Sequence, residues 1–237
     1  MKKNFYLMTG VLVFFIIVGC TSNESKANKL IDEYMFKHLH DYKSYEAVET
    51  TIDTLYNLPI TDDICYDAAS NIFVHSQNAS KYEEEKNNAQ RFFNIWNEGG
   101  RPSSFREQAK DATIKGFEAT INQCLENIEV LKCSKIIVDR LPLFDGKTQV
   151  GWLVNHSYRS NNRGGNSSLS SLTFLIDKRF KKIIRVLDIE DKDVQEAIKN
   201  LTVVKDYPSV AEIDNAINQY NDIIANVNKS IEEINAL

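Results

Sequence analysis

Proline, glycine, cysteine and histidine are all scarce in this chain of 237 residues. It contains 4 prolines, 9 glycines, 4 cysteines and 4 histidines. So few glycines and prolines exclude a collagen-like or low-complexity chain, and four cysteines are too few for a disulfide-dense scaffold. The sequence also lacks a phosphate-binding glycine loop, an HExxH metal motif and a GxSxG nucleophile motif. We therefore expect a protein that is not an enzyme and that holds neither a cofactor nor a metal.

Long apolar runs are also absent, except at the N-terminus. Lys2 and Lys3 precede an apolar stretch over residues 5–18 that is too short for a resident transmembrane helix. This pattern predicts a cleaved signal peptide over residues 1–19. An uncleaved N-terminal anchor is the alternative.

The end of the apolar stretch reads Ile17-Val18-Gly19-Cys20. This tetrapeptide resembles a bacterial lipobox, which implies that Cys20 is acylated and becomes the first residue of the mature chain. An ordinary signal peptide with a coincidental cysteine is the alternative. Two or three acyl chains give stable membrane anchoring, so we expect the membrane as a partner, through a lipidated tether over residues 20–26. Thr21 after the cysteine resembles an outer-membrane address, which implies a protein that faces the periplasm.

Acidic residues outnumber basic ones, 33 to 28. Loss of Lys2 and Lys3 with the signal peptide leaves a formal charge of −7. This balance argues against a nucleic-acid partner, because phosphate contacts dominate that affinity. The densest basic run joins Lys178-Arg179 to Lys181-Lys182 at a predicted strand turn. It is interpreted as a solvated face, with an anionic-ligand site as the alternative.

Apolar residues at steps of three and four predict most of the chain to be helical. The predicted helices cover residues 25–40, 61–96, 104–132, 191–201 and 209–237. Gly99-Gly100 lies between the second and the third helix, so that residues 61–132 form an antiparallel hairpin. Ser104 and Glu107 have the spacing of a capping box. The last helix has the most regular apolar repeat, at Ile217, Ile224 and Ile231, which serves either bundle packing within the chain or an interface between chains.

Five further segments are rich in β-branched and aromatic residues. Residues 42–56 are predicted to be a strand or an extended segment. Residues 134–141, 150–159, 169–177 and 182–189 are predicted to be strands of an antiparallel meander. The expected fold is therefore a single α+β domain over residues 27–237, in which a sheet of about four strands packs on the N-terminal helix.

Three cysteines remain once Cys20 carries lipid. A hairpin that folds back about Gly99-Gly100 places Cys65 opposite the mid-130s, next to Cys133, whereas Cys124 lies too far along the helix for a disulfide. The sequence predicts a bridge between Cys65 and Cys133, with three unpaired thiols as the alternative.

Groups that might carry chemistry are few. His38, His40 and Asp41 make a metal site conceivable, but an exposed helix end is the preferred interpretation. His75 and His156 are interpreted as packed histidines. The acidic groups are interpreted as helix-end charges, a solvated face and a strand-to-helix junction. These groups are Asp62-Asp63, Glu83-Glu84-Glu85 and Asp188 with Glu190-Asp191.

Two segments carry a resemblance. Tyr42-Lys43-Ser44-Tyr45-Glu46, together with Tyr158-Arg159-Ser160-Asn161 and the Gly164-Gly165 pair, resembles uncharacterised lipoproteins of Bacteroidetes-type bacteria. That family implies no biochemical function. In the second segment, Arg159, Asn161, Asn162 and Arg163 form a candidate recognition patch, although a plain hairpin loop is the preferred interpretation.

The sequence thus predicts a membrane-anchored lipoprotein of the cell envelope that binds an envelope protein or a glycan without catalysis. A hydrolase or accessory factor that acts on polysaccharide or peptidoglycan is the alternative. Paired carboxylates that face each other across a cleft would favour the hydrolase.

Overall fold

The computed structural model describes residues 22–96, 104–203 and 206–236. The helices are α1 (Asn23–His38), α2 (Asp63–Trp96), α3 (Ser104–Arg140), α4 (Lys192–Thr202) and α5 (Val210–Asn235). The strands are β1 (Glu46–Tyr56), β2 (Gln149–Asn161), β3 (Ser167–Asp177) and β4 (Ile183–Leu187). The predicted α+β class is confirmed. The signal peptide, Cys20, Gly99-Gly100 and the Ser104 cap lie outside what is described.

The four strands form one antiparallel sheet in the order β1-β2-β3-β4. β2 is the longest strand and pairs on both sides, with Thr50 and Leu172 as the register partners of His156. Side chains alternate between the two faces of a strand, so that Val154, His156 and Tyr158 share one face. All three are buried.

α1 covers that face because its apolar residues recur every four positions. Ala27, Ile31 and Met35 are almost fully buried, and they pack on Val154 and Phe174 of the sheet. The helix begins at Asn23, inside the predicted tether, and Ser22 caps it by accepting the N–H of Ser25 at 3.1 Å. The helix therefore begins two residues before the predicted start at residue 25.

The opposite face of the sheet is covered by α4 and by the start of α2. Leu55, Leu175 and Leu187 pack there against Tyr66 and Val194. A second apolar cluster joins the start of α2 to α4 and to the end of α3. The sheet is thus buried on both faces at this end.

α2 and α3 form the predicted hairpin, which is longer than predicted. The strand expected over residues 134–141 was wrong, since α3 continues to Arg140. Cys133, Ser134 and Ile137 are buried on one helical face, and the Ser134 hydroxyl donates to the Val130 carbonyl at 2.9 Å. The fourth strand is instead β1, which confirms the extended segment predicted for residues 42–56.

Cys65 and Cys133 lie in the same apolar cluster, as the hairpin geometry predicted. Both are nevertheless free thiols, as is Cys124, so the predicted disulfide is not formed in the structure. Burial, followed by the negative charge of Asp62, raises the pKa of the Cys65 thiol to about 11. Buried thiols of this kind pack as small hydrophobic groups and react slowly.

α5 packs on α3, which agrees with bundle packing within the chain. Ser209 and Glu212 form a complete capping box at its start. Ile213 is fully buried, whereas Ile217, Ile224 and Ile231 are half-buried. The regular apolar repeat therefore contacts its partner helix with a narrow stripe.

Candidate functional site

An open depression of about 350 Å³ lies where α1 gives way to the sheet. It is lined by Asp32, Glu33, Phe36, Lys37 and Tyr42. The first four lie on the solvent face of α1, because the opposite face is buried in the sheet. Two carboxylates, one ammonium group and two aromatic rings therefore border the same depression.

Phe36 is the main apolar group of this depression. Its side chain is 67% exposed, the highest value among the large apolar residues of the part of the chain described. Its ring meets Tyr42 edge to face, with 5.2 Å between the ring centroids. Tyr42 in turn stacks on Tyr45 at 5.4 Å. An exposed aromatic ring is thus supported from behind by a packed aromatic row.

A short 3₁₀ turn over Tyr42–Ser44 holds Tyr42 in place. The Ser44 hydroxyl donates to the Asp41 carbonyl at 2.8 Å and accepts the N–H of Asn161 at 2.8 Å. The Asn161 amide also donates to the Asp41 carboxylate at 3.3 Å. The far end of β2 therefore fixes the turn that carries one wall of the depression.

His156 lies behind the aromatic row and is only 1% exposed. Its Nε2 lies 2.9 Å from the Tyr45 hydroxyl, and its Nδ1 lies 2.9 Å from the Thr50 hydroxyl. The Tyr45 hydroxyl also lies 3.3 Å from Asp32. A chain of polar contacts thus runs from the depression into the core of the sheet.

Burial sets the protonation states of His156 and Tyr45. It lowers the pKa of His156 below 6.5, against a smaller opposing effect of Asp32. Burial, together with the negative charge of Asp32, also raises the pKa of Tyr45 above its usual range. Both groups are therefore neutral near pH 7, and both ring nitrogens of His156 face hydroxyl groups. The arrangement orients Asp32 and Tyr45, and it leaves no free imidazole nitrogen for proton transfer.

The four residues of the predicted recognition patch have different roles in the structure. Asn161 supports the depression, as described above. Asn162 serves the β2–β3 loop, where its side-chain amide oxygen Oδ1 accepts the N–H groups of Gly164 and Asn166. Arg159 is exposed and lies 3.9 Å from Glu46, and Arg163 is exposed in the loop. The loop interpretation therefore holds for Asn162, while Asn161 belongs to the site.

The two segments that carry the lipoprotein resemblance meet at this place. Glu46 and Arg159 are register partners of β1 and β2, and Ser44 accepts the N–H of Asn161. Residues far apart in sequence therefore hold the turn that carries Tyr42, which lines the depression.

The two carboxylates of the Asp62-Asp63 group have partners at the base of the hairpin. Asp62 accepts the N–H of Cys65 at 2.9 Å and pairs with Arg140 at 2.5 Å. The hydrogen bond from Arg140 lowers the pKa of Asp62, although burial opposes it. Asp63 pairs with Arg185, whose guanidinium lies 3.7 Å from the Tyr66 ring centroid. Asp62 therefore joins the start of α2 to the end of α3, whereas Asp63 joins the hairpin to β4 of the sheet.

The remaining acidic groups also occupy the places expected of them. Glu83, Glu84 and Glu85 are exposed on α2. Asp188 accepts the N–H of Glu190 at 3.0 Å, and Asp191 accepts the N–H of Asp193 at 2.7 Å at the start of α4.

The other histidines are also accounted for. His38 stacks on Tyr34, with 4.1 Å between the ring centroids, and His75 lies 2.6 Å from the carboxylate of Glu126. His40 is exposed. Within the described ranges no three His, Cys, Asp or Glu side chains are grouped closely enough to hold a metal ion.

The middle of the hairpin contains a second depression, of about 340 Å³. Its lining includes Phe93, Gly116 and Phe117. A Cβ atom at Gly116 would lie 3.4 Å from that of Ala89, so small residues allow α2 and α3 to approach closely. This depression lacks carboxylates.

Among the described helices, none combines the length and the apolar composition that a transmembrane span needs.

Sequence reasoning did not single out Asp32, Glu33, Phe36 or Lys37. The signal was present, because Phe36 is a large apolar residue that falls off the stripe of Ala27, Ile31 and Met35. Its place on the polar face of an amphipathic helix marks it as an exposed ring, and the neighbouring Tyr42 makes it part of a small aromatic surface.

Comparisons with known proteins add no family. The chain matches no protein-family model, no curated protein and no solved structure.

Proposed function

We propose that this chain is a lipid-anchored, non-catalytic binding module of the bacterial cell envelope, whose depression at the end of α1 takes a saccharide. The observation that carries the proposal is the exposed Phe36 ring, braced by Tyr42 and flanked by the charged groups of Asp32, Glu33 and Lys37. We place the anchor at Cys20, on the outer membrane and facing the periplasm.

The chemistry of the depression suits a sugar. A saccharide presents an apolar C–H face and a rim of hydroxyl groups, so its binding site needs a flat aromatic ring next to polar groups. Carboxylates accept hydrogen bonds from hydroxyls, and an ammonium group donates to them. Phe36 supplies the ring, while Asp32 and Glu33 supply acceptors and Lys37 supplies a donor. The openness of the depression to solvent suits a polymer that extends beyond it.

The acidic groups favour binding over hydrolysis. Glycoside hydrolysis needs two carboxylates that flank the scissile bond from opposite sides. Asp62 and Asp63 are engaged in ion pairs, and Asp191 caps a helix. Asp32 and Glu33 are successive residues of one helix, so their side chains diverge by about 100°. The envelope hydrolase is therefore the weaker alternative.

A glycan pull-down with the full mature chain tests the proposal. The probes are insoluble peptidoglycan and immobilised glycan strands released from it, because a chain that faces the periplasm meets these polymers. We expect the wild-type chain to be retained by one of them. Because an aromatic contact at the centre of a binding site contributes about 1–2 kcal/mol, Phe36→Ala should weaken retention about tenfold.

Phe92→Ala is the matched control. Phe92 lies on the hairpin and is 54% exposed, close to the exposure of Phe36. Retention of this variant should equal that of the wild type, with an unchanged melting temperature in both variants. If neither glycan retains the wild-type chain, or if both variants lose retention equally, the saccharide proposal is wrong.

A further inference from the structure

The β3–β4 turn concentrates positive charge on an otherwise acidic protein. We call residues 177–182 the basic turn. Its exposed cations are Lys178, Arg179, Lys181 and Lys182. The mature chain carries a formal charge of −7 if residues 1–19 are removed, so the four cations stand out against the rest of the molecule.

Asp177 gives the basic turn its shape. Its carboxylate accepts the N–H groups of Arg179 at 3.1 Å and of Lys181 and Lys182 at 2.6 Å. The single negative charge of the turn is thereby directed at the backbone, and the basic side chains are left to the solvent. Phe180 adopts a left-handed backbone conformation with φ of 54°, which closes the turn.

The aromatic part of the basic turn connects it to α1. Phe180 stacks on Trp152 with 5.4 Å between the ring centroids, and the Trp152 indole donates to the Lys178 carbonyl at 3.3 Å. The ammonium group of Lys26 lies 5.8 Å from the Phe180 ring centroid, a cation–π distance. Lys26 therefore adds a fifth cation to the same surface.

The proposed lipid anchor lies close to this surface along the chain. The N–H of Lys26 donates to the Ser22 carbonyl at 3.1 Å in the first turn of α1. Two peptide units separate Ser22 from Cys20, and they can span at most about 7 Å. An acylated Cys20 would therefore hold the start of α1, with Lys26 and the basic turn, near the headgroups of its own membrane.

Two exposed leucines lie at the same end of the sheet. Tyr56 pairs with Gln149 where β1 ends and β2 begins, close to the pairing of Gly151 with Asp177. The loops beyond these strand ends carry Leu58 at 42% exposure and Leu143 at 60% exposure. Basic residues next to exposed apolar ones are typical of surfaces that lie on anionic bilayers.

We propose that the basic turn, together with Lys26, binds the headgroups of anionic phospholipids in the membrane that holds Cys20. The proposal rests on the lipid anchor proposed above. Anionic bilayer surfaces attract Lys and Arg side chains within a Debye length. The acidic remainder of the chain is repelled by the same surface, so the anchored protein takes one orientation, with the basic turn towards the lipid.

The fluorescence of Trp152 reports contact between the basic turn and lipid, because its ring stacks on Phe180 of that turn. The full chain is produced in a host that processes lipoproteins, in a Trp96→Phe background that leaves Trp152 as the only tryptophan. Mass spectrometry first establishes whether Cys20 is acylated. The protein is then reconstituted into vesicles of phosphatidylcholine alone or of phosphatidylcholine with phosphatidylglycerol, and quenching by lipids brominated near the glycerol is measured.

We expect stronger quenching of Trp152 in vesicles that contain phosphatidylglycerol, and we expect high salt to remove the excess. The ratio of docked to undocked protein should fall about fivefold for each cation that is neutralised. The test variant combines Lys178→Gln, Arg179→Gln, Lys181→Gln and Lys182→Gln. The control variant, with the same change in charge on the hairpin and α5, combines Lys81→Gln, Lys115→Gln, Lys132→Gln and Lys229→Gln.

The outcomes separate the two proposals. If Cys20 is acylated but quenching is equal in both vesicle types, or if the two variants behave alike, the headgroup contact is wrong while the anchor stands. If Cys20 carries no acyl chain, the anchor proposal fails. Co-sedimentation of the same protein with the two vesicle types then decides the headgroup contact, which is overturned if phosphatidylglycerol adds no binding.

Discussion

Gly151 occupies a position in the sheet that admits no side chain. A Cβ atom there would lie 2.1 Å from the carbonyl oxygen of Ile176 and 3.3 Å from a methyl group of Leu55. The first of these contacts involves backbone, which cannot move aside without disturbing the pairing of β2 with β3. The glycine is therefore required for close approach of the strands.

Gly151→Ala should destabilise the protein by about 3 kcal/mol, because overpacking forces backbone shifts that cost about 1–3 kcal/mol or more. Urea unfolding followed by circular dichroism gives the free energy of unfolding. Gly164→Ala is the control, since its nearest neighbour is a side-chain oxygen of Asn162, in an exposed loop. Equal losses in both variants would contradict the close-approach argument.

His156 links the stability of the protein to pH. Burial lowers its pKa in the folded protein below 6.5, so the unfolded chain binds a proton more readily than the folded one. The stabilisation from the neutral ring is complete above about pH 6.5 and is lost as the pH falls below it.

His156→Leu should cost about 2–4 kcal/mol at neutral pH, because the hydroxyls of Tyr45 and Thr50 lose their partner. The variant should also lose less stability than the wild type between about pH 7.5 and about pH 5.5. Urea midpoints at the two pH values measure both effects. A His156→Leu profile parallel to that of the wild type would refute the linkage.

At the scale of elements, the apolar periodicity of the helices was readable from the sequence, whereas the strand propensity of individual residues was misleading. The apolar repeat of α5 and the hairpin were predicted, because each helix buries one continuous face. Residues 134–141 were misread as a strand, since Ile136, Ile137 and Val138 favour strands locally. Burial of Cys133 and Ile137 on one face of α3 outweighs that preference.

The candidate site was only partly readable for a related reason. Asn161 was singled out by its loop, yet its partners Asp41 and Ser44 lie 120 and 117 residues away in sequence. Phe36 falls off the apolar stripe of α1, so its exposed position was readable from the local pattern. The role of Asn161 depends on contacts between distant segments, which no local pattern encodes.

Ile213 should carry most of the packing energy of α5. It is fully buried, whereas Ile223 on the same helix is 41% exposed. Ile213→Ala should lower the free energy of unfolding by about 2–4 kcal/mol, and Ile223→Ala by less than about 0.5 kcal/mol. Chemical denaturation of the two variants measures the difference. Similar losses would instead point to an interface that covers Ile223.

For the molecule as a whole, the proposed acylation of Cys20 would decide where the protein resides. Cys20→Ala should abolish incorporation of radiolabelled palmitate, since no other cysteine has the lipobox context, and it should leave residues 1–19 attached. Gel fluorography and intact mass measure the two effects. Cys124→Ala, which alters a buried thiol, should label normally, and persistent labelling of the Cys20→Ala variant would exclude this anchor.

The length of α1 sets the distance between the proposed lipid contact at its start and the proposed saccharide site at its end. Phe36 lies 14 residues after Ser22 in the same helix, which corresponds to about 21 Å along its axis. If the basic turn binds headgroups and the depression binds a saccharide, α1 would separate lipid from ligand by at most this length. The depression would then meet only polymers that pass close to the bilayer.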